Sequence, residues 1–134
     1  MTASDAVRAL LVANDLPVDD LADPAVELFG VHDGAEVVGV IGIQWLDGAA
    51  LLRSLAVAAK ARDRGLGAQL CDAVIRQVTA RGCPELWLLT TSAKDYFGRR
   101  GFVVVPRDQV PASVRATAQF SSLCPSSAVV MRRA

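Results

Sequence analysis

An α+β domain with a mixed central sheet is the fold class this sequence predicts, and three observations carry it. Residues 26–57 read as three strands joined at two Asp-Gly turns, the mark of an antiparallel meander. Residues 66–78 carry an apolar stripe at helical spacing. The short apolar run 85–89 then makes strand, helix, strand across residues 51–89, a crossover that demands parallel pairing.

The elements follow in order. Ala6, Val7, Leu10, Leu11 and Asn14 lie at helical spacing over residues 5–16, with Ser4 as cap and Pro17 as stop. Residues 18–24 read as a turn or a short helical piece. Val26–Val31 and Glu36–Trp45 are two strands joined at His32-Asp33-Gly34-Ala35, where Asp-Gly signals a hairpin. Asp47-Gly48 turns the chain into a third strand, Leu51–Val57. Leu66, Leu70, Cys71, Val74, Ile75 and Val78 mark one helix face, which ends at Arg81-Gly82 with Pro84 beyond. Glu85–Leu89 is apolar enough for a strand buried on both faces. A short helix over 93–100, a strand after Gly101-Phe102, a helical turn over 112–118 and a last strand over 128–132 complete the chain.

Composition narrows the class. The 134 residues have room for one domain, 1–134, and the 52% apolar and 21% charged content is that of a globular chain. Fourteen basic residues balance fourteen acidic ones, so no general field draws the protein to nucleic acid or an anionic membrane. Mean hydropathy is high, at +0.35. Yet the longest apolar stretches are broken by Gln44, Asp47-Gly48 and Arg53, well short of the roughly 20 residues a spanning helix needs. The start, MTASDAVRALLVANDLP, lacks the basic-then-apolar order of a secretion signal. Three cysteines without C-x-x-C spacing fit a reduced, cytoplasmic protein, and no metal is called for.

The chemistry-bearing segment is Arg62-Asp63-Arg64-Gly65-Leu66-Gly67, which opens the central helix after the strand Leu52–Val57. Two glycines permit a turn whose successive N–H groups face one point, and the helix start adds partial positive charge. Lys60, Arg62 and Arg64 surround it with cations, so a pyrophosphate is the natural occupant. A Walker loop needs Gly-Lys-Ser/Thr, which is absent. A dinucleotide fingerprint would place its first glycine at the strand end, whereas seven residues separate Val57 from Gly65, and Leu70 is bulky where a third small residue belongs.

Leu52–Leu70, with Arg62-x-x-Gly65-x-Gly67 after a strand ending Leu-Ala-Val, resembles the coenzyme-binding motif of the GCN5-related N-acetyltransferase (GNAT) family. Strand order, helix placement and the Ala93…Gly101-Phe102 pattern extend the resemblance over nearly the whole chain. Leu86–Ala93, Tyr96-Phe97, Arg100-Gly101-Phe102 and Arg107–Pro111 are similar to the acetyltransferase domain of N-acetylglutamate synthases. With the closing Phe120–Ala128, they are similar also to the small acetyltransferases found with arsenic-resistance genes. The resemblance implies a three-layer α/β/α fold with its parallel central strands, 51–57 and 85–90, splayed around acetyl-CoA. It implies coenzyme contacts from Leu55, Ala56 and Val57 to the pantetheine arm, from Arg62, Asp63, Arg64, Gly65, Leu66, Gly67 and Ala68 to the pyrophosphate, and from Phe97. The implied reaction is acetyl transfer to a primary amine of a small, amino-acid-like molecule by direct attack. A noncatalytic acetyl-CoA sensor and a protein N-terminal or lysine acetyltransferase are the alternatives.

The sequence also departs from the family. A first strand is missing or very short, which leaves a sheet edge exposed or covered by a partner and leaves room for a homodimer. Phe97 stands where the family often has a tyrosine that protonates the leaving thiolate, with Tyr96 one step earlier. One residue turns a helical side chain by about 100°, so Tyr96 does not inherit that role by position alone. The catalytic candidates are the backbone N–H of Leu55 for the carbonyl oxygen, Thr90 in place of the usual asparagine, and Tyr96. Arg53 interrupts an apolar strand, and pleat alternation gives it the face of Leu51, Leu55 and Val57. A substrate carboxylate, a structural acid such as Asp47 or Glu85, and a solvated face are its three readings. Gln44, Trp45, Thr91, Ser122 and Cys124 complete the substrate-side candidates. Packing is the other reading for Gln44 and Trp45, helix capping for Thr90 and Thr91, and a serine-rich turn for Ser122 and Cys124. Cys71 and Cys83 read as core filler and His32 as a solvated turn residue.

Overall fold

A computed structural model describes residues 4–14, 16–120 and 128–133. The Ser4 side chain accepts a hydrogen bond from Val7 N at 3.4 Å, which caps α1 (Asp5–Ala13). This helix stops a turn earlier than its periodicity predicts. Asn14 is its C-cap, and the Asn14 side chain donates back to Leu10 O at 2.9 Å. A turn-rich segment leads to β1 (Val26–Asp33), β2 (Glu36–Leu46) and β3 (Ala49–Val57), joined by tight turns with Gly34 and Gly48 at positive φ. Then come α2 (Leu66–Ala80), β4 (Leu86–Thr90), α3 (Lys94–Gly98), β5 (Phe102–Val105), α4 (Ala112–Arg115) and β6 (Val129–Arg133).

The six strands form one mixed sheet in the order β1-β2-β3-β4-β6-β5. As expected, β1, β2 and β3 are an antiparallel meander and the β3–α2–β4 crossover is parallel. The parallel pairing is short. Only Ala50↔Leu86 and Leu51↔Trp87 are in register, and beyond them the two strands part. On the far side β6 runs antiparallel to both β4 and β5.

Helices cover both faces. Val7 and Leu11 of α1 pack on Leu28, Val40 and Ala56, and Val114 of α4 packs on Leu51, Trp87 and Val130. On the opposite face Leu70, Cys71, Val74 and Val78 of α2, with Phe97 of α3, meet Ile41, Ile43, Leu52 and Leu88. Each large aliphatic side chain buried this way contributes about 1.5–3 kcal/mol. The result is the three-layer α/β/α arrangement.

One irregularity decides where the site residues point. Val40 pairs with Ala56, but Gly42 pairs with Arg53, so Ile41 alone faces Ser54 and Leu55 together. This is a β-bulge, and Ser54 occupies it with φ of 59°. A bulge inverts the alternation that follows it. Arg53 therefore shares the α1/α4 face with Leu51, whereas Leu55 packs with the α2-side core and Val57 lies beside Gly67. Plain pleat alternation, which placed Arg53 with Leu55 and Val57, fails for this reason.

Candidate functional site

The loop into α2 is shaped by two residues in the left-handed region, Asp63 (φ 67°) and Gly65 (φ 74°), the latter serving as N-cap of the helix. Alternation of this kind turns successive amides toward one point. Gly67 is required for a different reason: a Cβ there would lie 3.2 Å from the Tyr96 hydroxyl. Leu55, Ala56, Val57, Arg62, Asp63, Gly65, Leu66, Gly67 and Ala68 border one concavity of about 350 Å³, together with Asn14, Ala61 and Tyr96. Of the residues expected at the loop, Arg64 does not border it and is exposed. Arg62 is steered by two contacts, donating to Val57 O at 3.2 Å and to Asn14 Oδ1 at 2.9 Å. Lys60 instead forms an exposed ion pair with Glu36.

A second cleft, about 530 Å³, opens where β3 and β4 diverge. Its walls include Leu52, Arg53, Ser54 and Leu55 from β3, Leu88–Ala93 at the end of β4, and Tyr96 and Phe97 from α3. Asn14, Leu16 and Pro17 cover it from the segment after α1, and Gln119 and Ala128 close the remaining side. Asn14, Leu55 and Tyr96 border both concavities, so the two adjoin. Phe97 is 6% exposed and makes edge-to-face contacts with Tyr96 and Phe102, so its ring is largely structural. The Tyr96 hydroxyl is buried and has no hydrogen-bond partner among the described residues. An orphaned buried hydroxyl is costly unless a ligand meets it.

Arg53 lies at the floor of the cleft with its side chain wholly shielded from solvent. Both guanidinium nitrogens Nη1 and Nη2 reach Asp20, each at 2.5 Å, while Nη1 also donates to Gln44 Oε1 at 3.3 Å and Nε to Ser54 Oγ at 3.1 Å. Its acid is thus Asp20, from the segment between α1 and β1, and neither Asp47 nor Glu85. Gly42 makes this possible, since a Cβ there would come within 3.3 Å of the arginine stem. Gln44 is buried beside Arg53 but does not border the cleft. Trp45 is elsewhere: its indole donates to Glu27 at 3.3 Å and stacks under Arg81, so edge packing is its observed role.

Thr90 and Thr91 both border the cleft. Thr90 Oγ1 accepts a hydrogen bond from Ala93 N at 3.0 Å, a capping contact at the entry to α3. Cys71 is buried, and burial pushes its thiol up from the ordinary value, Asp72 adding to this and Arg100 and Arg133 opposing it. It has the character of core filler. Cys83 is partly buried, with its sulfur near Glu85 O, and His32 is exposed in its turn. Ser122 and Cys124 lie outside the described residues. Among the described residues no group of His, Cys, Asp or Glu could hold a metal ion, and no helix is long and apolar enough to cross a membrane.

Sequence reasoning missed Asn14, Asp20 and Gln119. Asn14 looked like a helix end and Asp20 like one acid among several. Nothing in the local pattern of Asp20 or Asn14 places them against Arg53 and Arg62, because those contacts span 33 and 48 positions of the chain.

Comparison with known proteins agrees with this geometry. Residues 7–102 match the model of the acetyltransferase (GNAT) family, and the chain belongs to that family. Among solved structures it is similar in fold to N-acetylglutamate synthase from Neisseria gonorrhoeae complexed with coenzyme A and N-acetyl-glutamate. The TM-score is 0.79 at 19% identity, covering 99% of this chain but 33% of that one, so this chain spans about a third of the synthase. A GNAT-family acetyltransferase from Staphylococcus aureus Mu50 gives 0.80 at 18% identity over 98% of this chain and 92% of that one. Rv2747 from Mycobacterium tuberculosis, in complex with CoA and NLQ, gives 0.78 at 18%, over 96% and 91%.

Proposed function

We propose that the chain transfers the acetyl group of acetyl-CoA to the primary amine of a small, amino-acid-like molecule. The observation that carries this reading is the meeting of two concavities at Leu55 and Tyr96, on a strand that loses its parallel partner after Leu51. One concavity has the amides of an anion-binding turn, and the other is a half-enclosed cleft with polar side chains from Ser54, Thr90, Thr91, Ser92 and Gln119. A thioester lying along β3 would reach from the first into the second. The orphaned Tyr96 hydroxyl supports the same fit, since it faces Gly67 at the coenzyme loop. We assign it to holding the coenzyme and not to proton transfer.

Within that frame the chain's own residues have three tasks. The amides of the 62–68 turn hold the pyrophosphate. Backbone N–H groups at the bulged end of β3, Leu55 among them, are the groups we assign to stabilising the charge that grows on the thioester oxygen during attack. The walls of the cleft hold the neutral amine near the carbonyl carbon and keep bulk water away. Acetyl-CoA supplies an activated acyl group whose thiol is far more acidic than an alcohol or an amine, so it departs as thiolate without requiring a side-chain acid. The amine gives up its proton as the C–N bond forms, and water in the cleft carries that proton out.

The cleft walls, drawn from β3, β4, α3 and the segment after α1, support a small-molecule acceptor, and so does the likeness in fold to N-acetylglutamate synthase. A primary test is thiol release from acetyl-CoA with the common amino acids, their carboxamides and simple amines as acceptors. Turnover of free amino acids is expected, with kcat/KM above that for peptides bearing an accessible lysine. Coenzyme binding without turnover of any amine would establish a sensor instead.

A further inference from the structure

Beyond the coenzyme loop, a groove of about 590 Å³ runs between α2 and α3, lined by Asp72, Ile75, Arg76, Tyr96, Arg99, Arg100 and Arg133. In a chain of zero net charge, four guanidinium groups and one carboxylate converge there. The inner two arginines are already engaged. Arg100 Nη1 reaches Asp72 Oδ1 at 3.2 Å, and Arg133 Nε donates to Arg100 O at 3.2 Å. Arg76 and Arg99 are exposed on the rims, one from each helix, and neither has a hydrogen-bond or ion-pair partner among the described residues. Four guanidinium groups against one carboxylate leave the groove net cationic, which favours an anion there.

Its position says which anion. Tyr96 is shared by the groove, the coenzyme loop and the acceptor cleft. At one end its hydroxyl lies against Gly67, and the guanidinium carbon of Arg100 sits 5.2 Å from the centre of its ring. The cationic groove is therefore one tyrosine ring away from the amides assigned to the pyrophosphate. We propose that the groove binds the 3′-phosphate on the ribose of coenzyme A, with Arg76 and Arg99 as its direct cations and Arg100, held by Asp72 and Tyr96, at its floor. This rests on the acetyl-CoA reading above and adds a specificity to it: the enzyme distinguishes coenzyme A from its dephospho form. A phosphate monoester suits two guanidinium groups because each can offer paired N–H donors to its oxygens.

The test is binding of coenzyme A and of dephospho-coenzyme A, by calorimetry, to the wild-type protein and to Arg76→Gln, Arg99→Gln and the double variant. Both positions are exposed, and an unchanged melting temperature will show that the variants fold. The wild type is expected to favour coenzyme A by about tenfold or more. The double variant is expected to lose that preference by weakening coenzyme A alone, and raised salt is expected to shrink the preference in the wild type. Inorganic phosphate is the second probe. It should stabilise the free protein against heat and lose that effect once coenzyme A saturates the site, whereas phosphate that stabilises both equally binds elsewhere and overturns the proposal. Equal affinity for the two coenzymes in the wild type, or a preference that survives in the double variant, also overturns it. Failure of both coenzymes to bind would overturn the acetyl-CoA reading itself, a distinguishable result.

Discussion

Single residues shape the loop we assign to the coenzyme through two distinct glycine requirements. Gly65 has open space where a side chain would go but needs φ of 74°, so a substitution there strains the backbone. Gly67 has ordinary helical surroundings, but a side chain would push on the Tyr96 hydroxyl. The consequences separate. Gly65→Val should lower the stability of the free protein by about 1–2 kcal/mol and weaken acetyl-CoA as the turn reshapes. Gly67→Val should leave the free protein within about 1 kcal/mol of wild type while weakening acetyl-CoA by about tenfold or more. Denaturant unfolding and calorimetry measure the two quantities. Unchanged affinity in both variants would remove the loop from the coenzyme site.

At the scale of elements, the bulge in β3 and the segment between α1 and β1 act together. The bulge sends Arg53 to the α1 face, and Asp20 meets it there from a segment whose earlier residues Asn14, Leu16 and Pro17 cover the acceptor cleft. The ion pair is buried, and losing one partner of such a pair typically costs about 3–5 kcal/mol. Two roles for Arg53 predict opposite signs for Asp20→Asn. If Arg53 binds the acceptor's carboxylate in competition with Asp20, neutralising Asp20 frees its charge and KM for a free amino acid falls. If the pair fastens the covering segment, KM rises for the amino acid and its carboxamide alike, by about tenfold, with acetyl-CoA affinity kept. Because both terminal nitrogens of Arg53 are spent on Asp20, the rise is the expected outcome. A fall confined to the free acid would return Arg53 to carboxylate recognition.

Across the whole molecule, the sheet is two units, β1-β2-β3 and β4-β6-β5, joined by two registered residue pairs. A coenzyme inserted at their divergence would touch both, so its binding should be felt well beyond the loop. At acetyl-CoA about a hundredfold above Kd, mass action adds about 2.7 kcal/mol. For a domain of this size that is a rise of roughly 8–14 °C in melting temperature. Amide hydrogen exchange should slow on β3 and β4 together. Protection limited to residues 62–68 would mean that the ligand rests on one unit only and that the cleft at the divergence is not its path. Both sheet edges, β1 and β5, are unpaired within the described chain, which leaves room for a second copy along β1.

By itself the sequence determined what depends on short spacing. Helical period, Asp-Gly turns and the strand–helix–strand order gave the meander and the parallel crossover, because hydrogen-bonding period and turn chemistry are local. The shape of the glycine loop was legible for the same reason: its conformation is specified within six residues, and of those singled out in it only Arg64 does not border the concavity. The acceptor side was not legible. Arg53 announced itself as a buried cation, but its direction depended on a one-residue bulge that no periodicity reveals, and its partner on a segment 33 positions earlier. The strand position of Trp45 left pocket lining and edge packing both open, and packing is what is observed, since where the strands part is a property of the sheet and not of either strand. Tyr96, offset from the usual tyrosine by one residue, still borders the site because α3 is a single short helix packed so that Phe97 fills the core and its neighbour faces Gly67. Those choices belong to long-range packing, where side chains distant in sequence compete for the same volume, and only the tertiary structure decides them.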